Sequence, residues 1–294
     1  MEGNAVTDTN RQKPLALGQA RRVRLGVGAV VLALVALTGC TDSGAEGNAA
    51  AQGEETGPAT PAPSITSIPS TLPDQPTAPP TPVDPKNVKC EYRKDDSGAP
   101  AKFVGMPPAK PMKAALAAKN MTIKTNQGDI VIELVPESTP CTVNSFYFLA
   151  KKNYFDNTLC HRLTTAESNG LDLLQCGDPQ AKGDGKNKTD GTGGPGYLFP
   201  DENLGPAYSR GVVFMAQGGD AANSNGSQFA ISYSDEAAQL PAAYTPFGVV
   251  VKGLDVVDKI AKEGVIKNED DILSEDGGSN APKLRVEIKD VVLK

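Results

Sequence analysis

One stretch of the chain concentrates residue types that could grip a polypeptide: Asn223, Ser224, Asn225, Gly226, Ser227 and Gln228, set against the apolar tail Phe229-Ala230-Ile231. Each Asn or Gln side chain carries both a donor and an acceptor, matching what an extended peptide backbone offers. A plain surface turn does not need that density of amides, so the run reads as a peptide-binding segment leading into a core strand. Covalent chemistry is poorly provided for. His161 is the one histidine in 294 residues. A nucleophilic triad would need it as the base, and packing beside Arg162 on a strand is the better reading. Cys160 and His161 with Cys176 lack the paired close spacings of a zinc site, so no metal is expected. Six glycines fall between positions 183 and 196, but Gly185-Lys186 is followed by Asn187 and lacks the upstream glycine of a phosphate loop. That stretch reads as a flexible surface loop, and no cofactor is implied.

The elements that must position these residues are mostly strands. Met121, Ile123 and Thr125 alternate, a turn follows at 126–129, and Ile130, Ile132 and Leu134 alternate again, which predicts a hairpin with one buried face. After Pro140, the residues Val143, Phe146, Tyr147 and Ala150 recur at helical spacing. Further strands are predicted at 158–163, 173–177, 211–215, 228–232, 247–251 and 284–293, with a second amphipathic helix over 253–261. Six or more strands and two helices in about 175 residues suggest a mainly β fold, a closed antiparallel barrel capped by two α-helices.

Upstream of the barrel the composition changes. Residues 1–39 carry Arg21-Arg22-Val23-Arg24 and then an apolar run over 25–37, the pattern of a secretory signal peptide and too short to span a bilayer. Leu37-Thr38-Gly39-Cys40 resembles the lipobox of bacterial lipoproteins, which implies diacylation of Cys40 and attachment to the cell membrane from the extracytoplasmic side. Residues 40–86 hold ten prolines between 58 and 85 and read as a disordered Pro/Thr-rich stalk. A Cys-containing lead-in follows over 87–118, and the barrel occupies 119–294.

Removal of residues 1–39 takes away five basic and two acidic side chains and moves the formal charge from −6 to −9. An acidic chain with no basic stripe is unsuited to nucleic acid. Nothing demands more than a monomer. The four remaining cysteines, Cys90, Cys141, Cys160 and Cys176, form an even set in an exported chain, so two disulfides are expected. Cys160–Cys176 across neighbouring strands and Cys90–Cys141 pinning the lead-in are the favoured pairs, although the sequence leaves the connectivity open.

Taken in order, the motifs of residues 119–294 resemble a bacterial cyclophilin, a peptidyl-prolyl cis-trans isomerase domain. The matching pieces are Gly128-Asp129-Ile130, 140–146, His161-Arg162, Gln175-Cys176-Gly177-Asp178-Pro179, 193–197, Phe199-Pro200-Asp201-Glu202, Met215-Ala216-Gln217, 225–229 and 244–248. The resemblance implies that Arg162 is the catalytic cation. It also implies that Gln175, the main chain of Ala216, and Gln217 (Asn in most of the family) hold the substrate backbone. Leu240 and Tyr244 would line the proline pocket, with Tyr244 where the family has His. The implied substrates are proline-containing exported polypeptides.

Departures from the family cluster at the pocket. Two phenylalanines and a methionine line it in the family. Here Ala230 stands at one aromatic position, the other aromatic is absent, and Leu173 replaces the methionine. There is no tryptophan, and Gln239 falls near its place. Loss of a ring removes on the order of 100 Å² of contact, or roughly 2–3 kcal/mol of binding. The competing reading is therefore a catalytically weak peptide-binding or chaperone module on the same fold.

Overall fold

The computed structural model describes residues 87–166, 170–218, 221–267 and 280–294. The expected signal peptide (1–39), Cys40 and the stalk (40–86) lie outside the described residues. The elements begin with β1 (Arg93–Lys94), α1 (Lys113–Ala117), β2 (Asn120–Thr125), β3 (Gly128–Leu134) and α2 (Pro140–Lys151). Next come β4 (Arg162–Thr164), β5 (Leu173–Cys176), β6 (Tyr197–Leu198), β7 (Val212–Gln217) and β8 (Asn225–Ser232). The chain closes with β9 (Pro246–Lys252), α3 (Leu254–Lys262), β10 (Val265–Ile266), β11 (Ala281–Pro282) and β12 (Ile288–Leu293).

Eight strands form one antiparallel sheet in the order β12-β2-β3-β9-β7-β8-β5-β4. The expected barrel closure is a seam and not a ladder. The segment before β4 reaches the segment before β12 through Asn157 N to Ile288 O (2.8 Å), Cys160 N to Val286 O (3.1 Å) and Ile288 N to Thr158 O (2.9 Å). Those bonds use the backbone groups of 157–160, which is why the strand expected at 158–163 begins only at Arg162.

The alternating residues fill the interior as expected. Met121, Ile123, Ile130 and Ile132 are each at most 1% exposed, and burial of this kind supplies the main favourable free energy of folding. Helix α2 covers one opening of the curled sheet. Its Phe146 stacks on Phe247 at 4.8 Å and meets Phe229 edge-on at 5.7 Å. Pro140 sits in the first turn of α2, where its missing N–H costs nothing. The carboxylate of Glu202 accepts from Cys141 N (3.0 Å), Thr142 N (2.8 Å) and Thr142 Oγ1 (2.7 Å) at that N-terminus. Helix α3 buries Val257 and Ile260 and turns Lys259 and Lys262 outward, the amphipathic pattern read from the sequence. A third α-helix among the described residues, the five-residue α1, was not foreseen, because Lys-Ala-Ala-Leu-Ala is too short to display a period.

Both expected disulfides form. Cys90–Cys141 spans 51 residues and fastens the lead-in to α2, and Cys160–Cys176 spans 16 and ties the approach to β4 to the end of β5. Tyr92 reinforces the first link: its hydroxyl donates to Cys141 O at 2.7 Å and accepts from Asn144 Nδ2 at 3.0 Å. In the chain-entropy account, closing such loops in the unfolded chain stabilises by about 3 kcal/mol for the shorter and about 4 kcal/mol for the longer. Replacing Cys160 and Cys176 together by Ser is expected to lower the free energy of unfolding by about 3 kcal/mol. Denaturant titration checks this; an unchanged midpoint at unchanged slope would show that the bond contributes nothing.

Candidate active site

Strand register assembles the site as a single row. Arg162 on β4 pairs with Gln175 on β5, Gln175 with Ala230 on β8, and Ala230 with Phe214 on β7. Directly opposed residues of antiparallel strands point to the same face, and neighbouring strands lie about 4.8 Å apart. The row therefore sets a cation at one end and a ring at the other, with the small Ala230 side chain between them. Over it lies a cleft of about 390 Å³. All eight residues singled out in the sequence line that cleft: Arg162, Leu173, Gln175, Ala216, Gln217, Ala230, Leu240 and Tyr244. Leu171, Asp190, Gly191, Thr192 and Phe214 line it as well and were not foreseen.

A relay of amides sets the arginine. Nη1 of Arg162 donates to Gln175 Oε1 at 3.1 Å, and Gln175 Nε2 donates to Gln228 Oε1 at 2.9 Å. Gln228 Nε2 in turn donates to the carbonyls of Gly191 (2.7 Å) and Gly193 (2.8 Å). The glycine-rich stretch expected to be a flexible loop is thereby fastened to the sheet. Asp178 accepts from the N–H groups of Gly191 (2.9 Å) and Gly193 (3.1 Å), and Asp190 accepts from those of Lys182 (2.8 Å) and Gly183 (2.7 Å). Gly193 has no alternative here, since a Cβ would lie 2.1 Å from Asp178 Oδ1.

The amide-rich run that suggested peptide binding is itself scaffold. Every residue of β8 is buried. Asn225 Nδ2 donates to Pro200 O (3.1 Å) and Asp201 Oδ1 (2.8 Å), and Ser227 bonds Tyr154 Oη (2.9 Å) and Gly177 O (2.8 Å). Of the run, Gln228 acts on this cleft through Gln175, and Ser224, Gly226, Ser227 and Gln228 line an adjoining cavity. The side chain of Gln217 is likewise engaged, donating to Asp201 Oδ1 and Ala243 O, both at 2.9 Å. What β7 offers a ligand is main chain. Its register with β8 shifts between Met215 and Gln217, where 226–228 of β8 stand opposite Ala216 alone, so Ala216 lies outside the regular pairing.

Phe214 answers the missing aromatic. Ala230 is where a ring was expected, and its cross-strand partner Phe214 carries one. The Phe214 ring packs 4.6 Å from Tyr208 and 5.7 Å from Tyr244. The Tyr208 hydroxyl accepts from Tyr244 N and donates to Tyr244 O, each at 2.9 Å, which fixes Tyr244 at the cleft wall. Burial pushes the Tyr208 phenol up to about 12, so it remains a donor at neutral pH. The signal was available in the sequence: Phe214 lies two residues before Ala216, and alternate residues of a strand share a face. Leu171 could have been found in the same way from Leu173.

His161 takes no part in the cleft. It is 2% exposed, burial pushes its imidazole below the ordinary value, and among the described residues neither ring nitrogen has a hydrogen-bond partner. A neutral, buried ring facing Gly191 from the interior agrees with the packing role read from the sequence. No group of three or more His, Cys, Asp or Glu side chains among the described residues could hold a metal.

Residues 120–292 match the family model described as cyclophilin type peptidyl-prolyl cis-trans isomerase/CLD. The chain is 42% identical over 198 residues to probable peptidyl-prolyl cis-trans isomerase B of Mycobacterium leprae, covering 63% of this chain and 62% of that protein. It is 39% identical over 213 residues to the protein of that name from Mycobacterium tuberculosis, covering 66% of this chain and 64% of the relative. It thus spans a little under two thirds of the length of these mycobacterial relatives. Human peptidyl-prolyl cis-trans isomerase-like 3 is 37% identical over 150 residues, 49% of this chain and 82% of the human one. The chain belongs to the cyclophilin-type peptidyl-prolyl cis-trans isomerase family.

Proposed function

We propose that the protein accelerates cis-trans isomerisation of X–Pro bonds in exported polypeptides without forming a covalent intermediate. The observation that carries this is the register row of Arg162, Gln175, Ala230 and Phe214 beneath one cleft. Rotation about an amide costs about 18–20 kcal/mol because resonance stiffens the C–N bond. A catalyst must therefore bind the twisted amide more tightly than either planar form. In the twisted state the prolyl nitrogen regains its lone pair, and a fixed guanidinium donating to it stabilises that state. Guanidinium suits the task, since it stays protonated and carries five N–H donors in a planar fork, one of which Gln175 holds.

The remaining lining residues divide the other work. Leu240 and Tyr244 would flank the prolyl ring over a floor of Phe214 and Leu173, and the main chain at Ala216 would hold the flanking peptide. A weak peptide-binding module was the alternative while the pocket lacked a ring, and Phe214 now weighs against it. On the same reading the protein is exported by its first 39 residues, diacylated at Cys40 and held to the membrane by a Pro-rich stalk.

A proline-isomerisation assay on short peptides tests the activity. Arg162→Ala is expected to lower kcat/KM by about 10²- to 10³-fold with little loss of stability, as removal of one preorganised donor does elsewhere. Arg162→Lys should not restore it, because an ammonium lacks the rigid planar fork that spans Gln175 and the substrate amide. A wild-type rate no better than background would sink the proposal. Phe214→Ala is expected to weaken peptide binding, because this ring, only 3% exposed, backs Tyr208 and Tyr244 at the cleft wall and its loss lets that wall collapse. Phe214→Ala combined with Ala230→Phe should recover most of that loss, since the two Cβ positions face one another; failure to recover would show that the ring is not interchangeable across the strands. For the anchor, Cys40→Ala should release the protein from membranes, and unchanged membrane attachment would contradict lipidation.

A further inference from the structure

The lead-in precedes the part of the chain that matches the family, yet it is built into the peptide-binding face. β1 pairs with β6 through Arg93↔Leu198 and Lys94↔Tyr197, and Asp95 N donates to Gly196 O at 3.1 Å. The chain then turns through Gly98 (φ +81°) and returns along the same segment, with Gly194 N donating to Pro100 O and Lys102 N to Gly194 O, both at 3.0 Å. Cys90–Cys141 fastens the start of this clasp. Asp95, Ser97 and Ala99 thereby become one wall of a second cavity, about 320 Å³ in volume. That cavity shares Gly191, Thr192, Ala216 and Gln217 with the proline cleft, so the two are compartments of one groove. Among the described residues, Asp95 is the one charged side chain lining the second compartment. It is half-buried, and its Oδ1 accepts from Ser97 N at 3.0 Å, which sets the carboxylate at the wall.

From this arrangement we infer that Asp95, supplied by the lead-in, makes the second compartment select Lys or Arg two residues from the substrate proline. In an extended peptide, residues i and i+2 face the same way about 6.7 Å apart. A chain that seats proline in the cleft and runs along Ala216 and Gln217 directs its next same-face side chain into the adjoining compartment. Gly191 to Gly194, Ala216 and Ser224 leave space and polar edges there, with no second charge among the described residues. A long cationic side chain could bury its methylenes along this wall and bring its head to the carboxylate. The inference rests on the isomerase reading for the position of proline, and on the lead-in alone for the charge preference.

The test uses two series of proline peptides, varied to Lys, Ala or Glu at the second position before or the second position after proline. Both kcat/KM and Kd are measured on the whole protein and on Asp95→Asn, in which the amide oxygen retains the Ser97 turn. One series is expected to favour Lys over Glu by about five-fold, the scale of a single solvent-screened ion pair. That preference should fade at about 1 M salt, where screening acts within about 3 Å. It should also vanish in Asp95→Asn. Equal use of Lys and Glu in both series, or a preference that survives Asp95→Asn, would overturn the assignment. Preferential Lys binding with no peptide isomerised would remove the isomerase reading and leave Asp95 as the selective residue. Failure of every peptide to bind would overturn both.

Discussion

The hydrogen bond from Arg162 to Gln175 is the contact on which the site depends, because it decides where a flexible cation points before any substrate arrives. A free arginine has many rotamers, and ordering one when substrate binds would offset part of the binding energy. Here the ordering is done by folding. Gln175 is held by Gln228, Gln228 by two carbonyls of the 191–193 segment, and that segment by Asp178. Each member of the relay is itself buried or half-buried, where an amide without partners would be costly. The relay therefore holds the arginine and the loop wall of the cleft in a single arrangement.

The two disulfides brace this relay from outside. Cys160, just before β4, and Cys176, at the end of β5, lie beside the Arg162–Gln175 pair, next to the seam where the sheet meets itself without a ladder. That edge has few regular bonds, so a covalent tie there contributes where the sheet is least continuous. Cys90–Cys141 acts at a distance by holding the lead-in against α2, from which it runs to the second compartment of the groove. Stability and recognition are linked through it, since the wall that carries Asp95 is fastened by the same bond.

How much of this was legible in the sequence follows a physical division. Strands with one buried face declared themselves by alternation, as at Met121–Ile123 and Ile130–Leu134, and α3 did so by its amphipathic stripe. The eight lining residues were legible because motif order along the chain placed them. Partners across the sheet were not. Phe214 supplies the ring that Ala230 lacks, and only register reveals that the two are neighbours. The amides of Asn225 and Gln228 advertised hydrogen-bonding capacity, but composition cannot say whether a donor faces solvent, ligand or scaffold; a wholly buried β8 decided it. The loop at 183–196 is a surface loop as read, but composition did not show that its glycines serve left-handed turns and, at Gly193, close approach to Asp178.

The central claim is that a preorganised Arg162 lowers the barrier to rotation about a bound prolyl amide. Exchange NMR on a proline peptide saturated with the protein measures that rotation directly, in the bound state and apart from affinity. Free X–Pro bonds take tens to hundreds of seconds to interconvert. The account predicts that the bound cis and trans resonances exchange at least about 10³ times faster than in the free peptide, and that Gln175→Met slows this exchange while the peptide stays bound. A peptide that binds in the cleft yet exchanges no faster than it does free would contradict it.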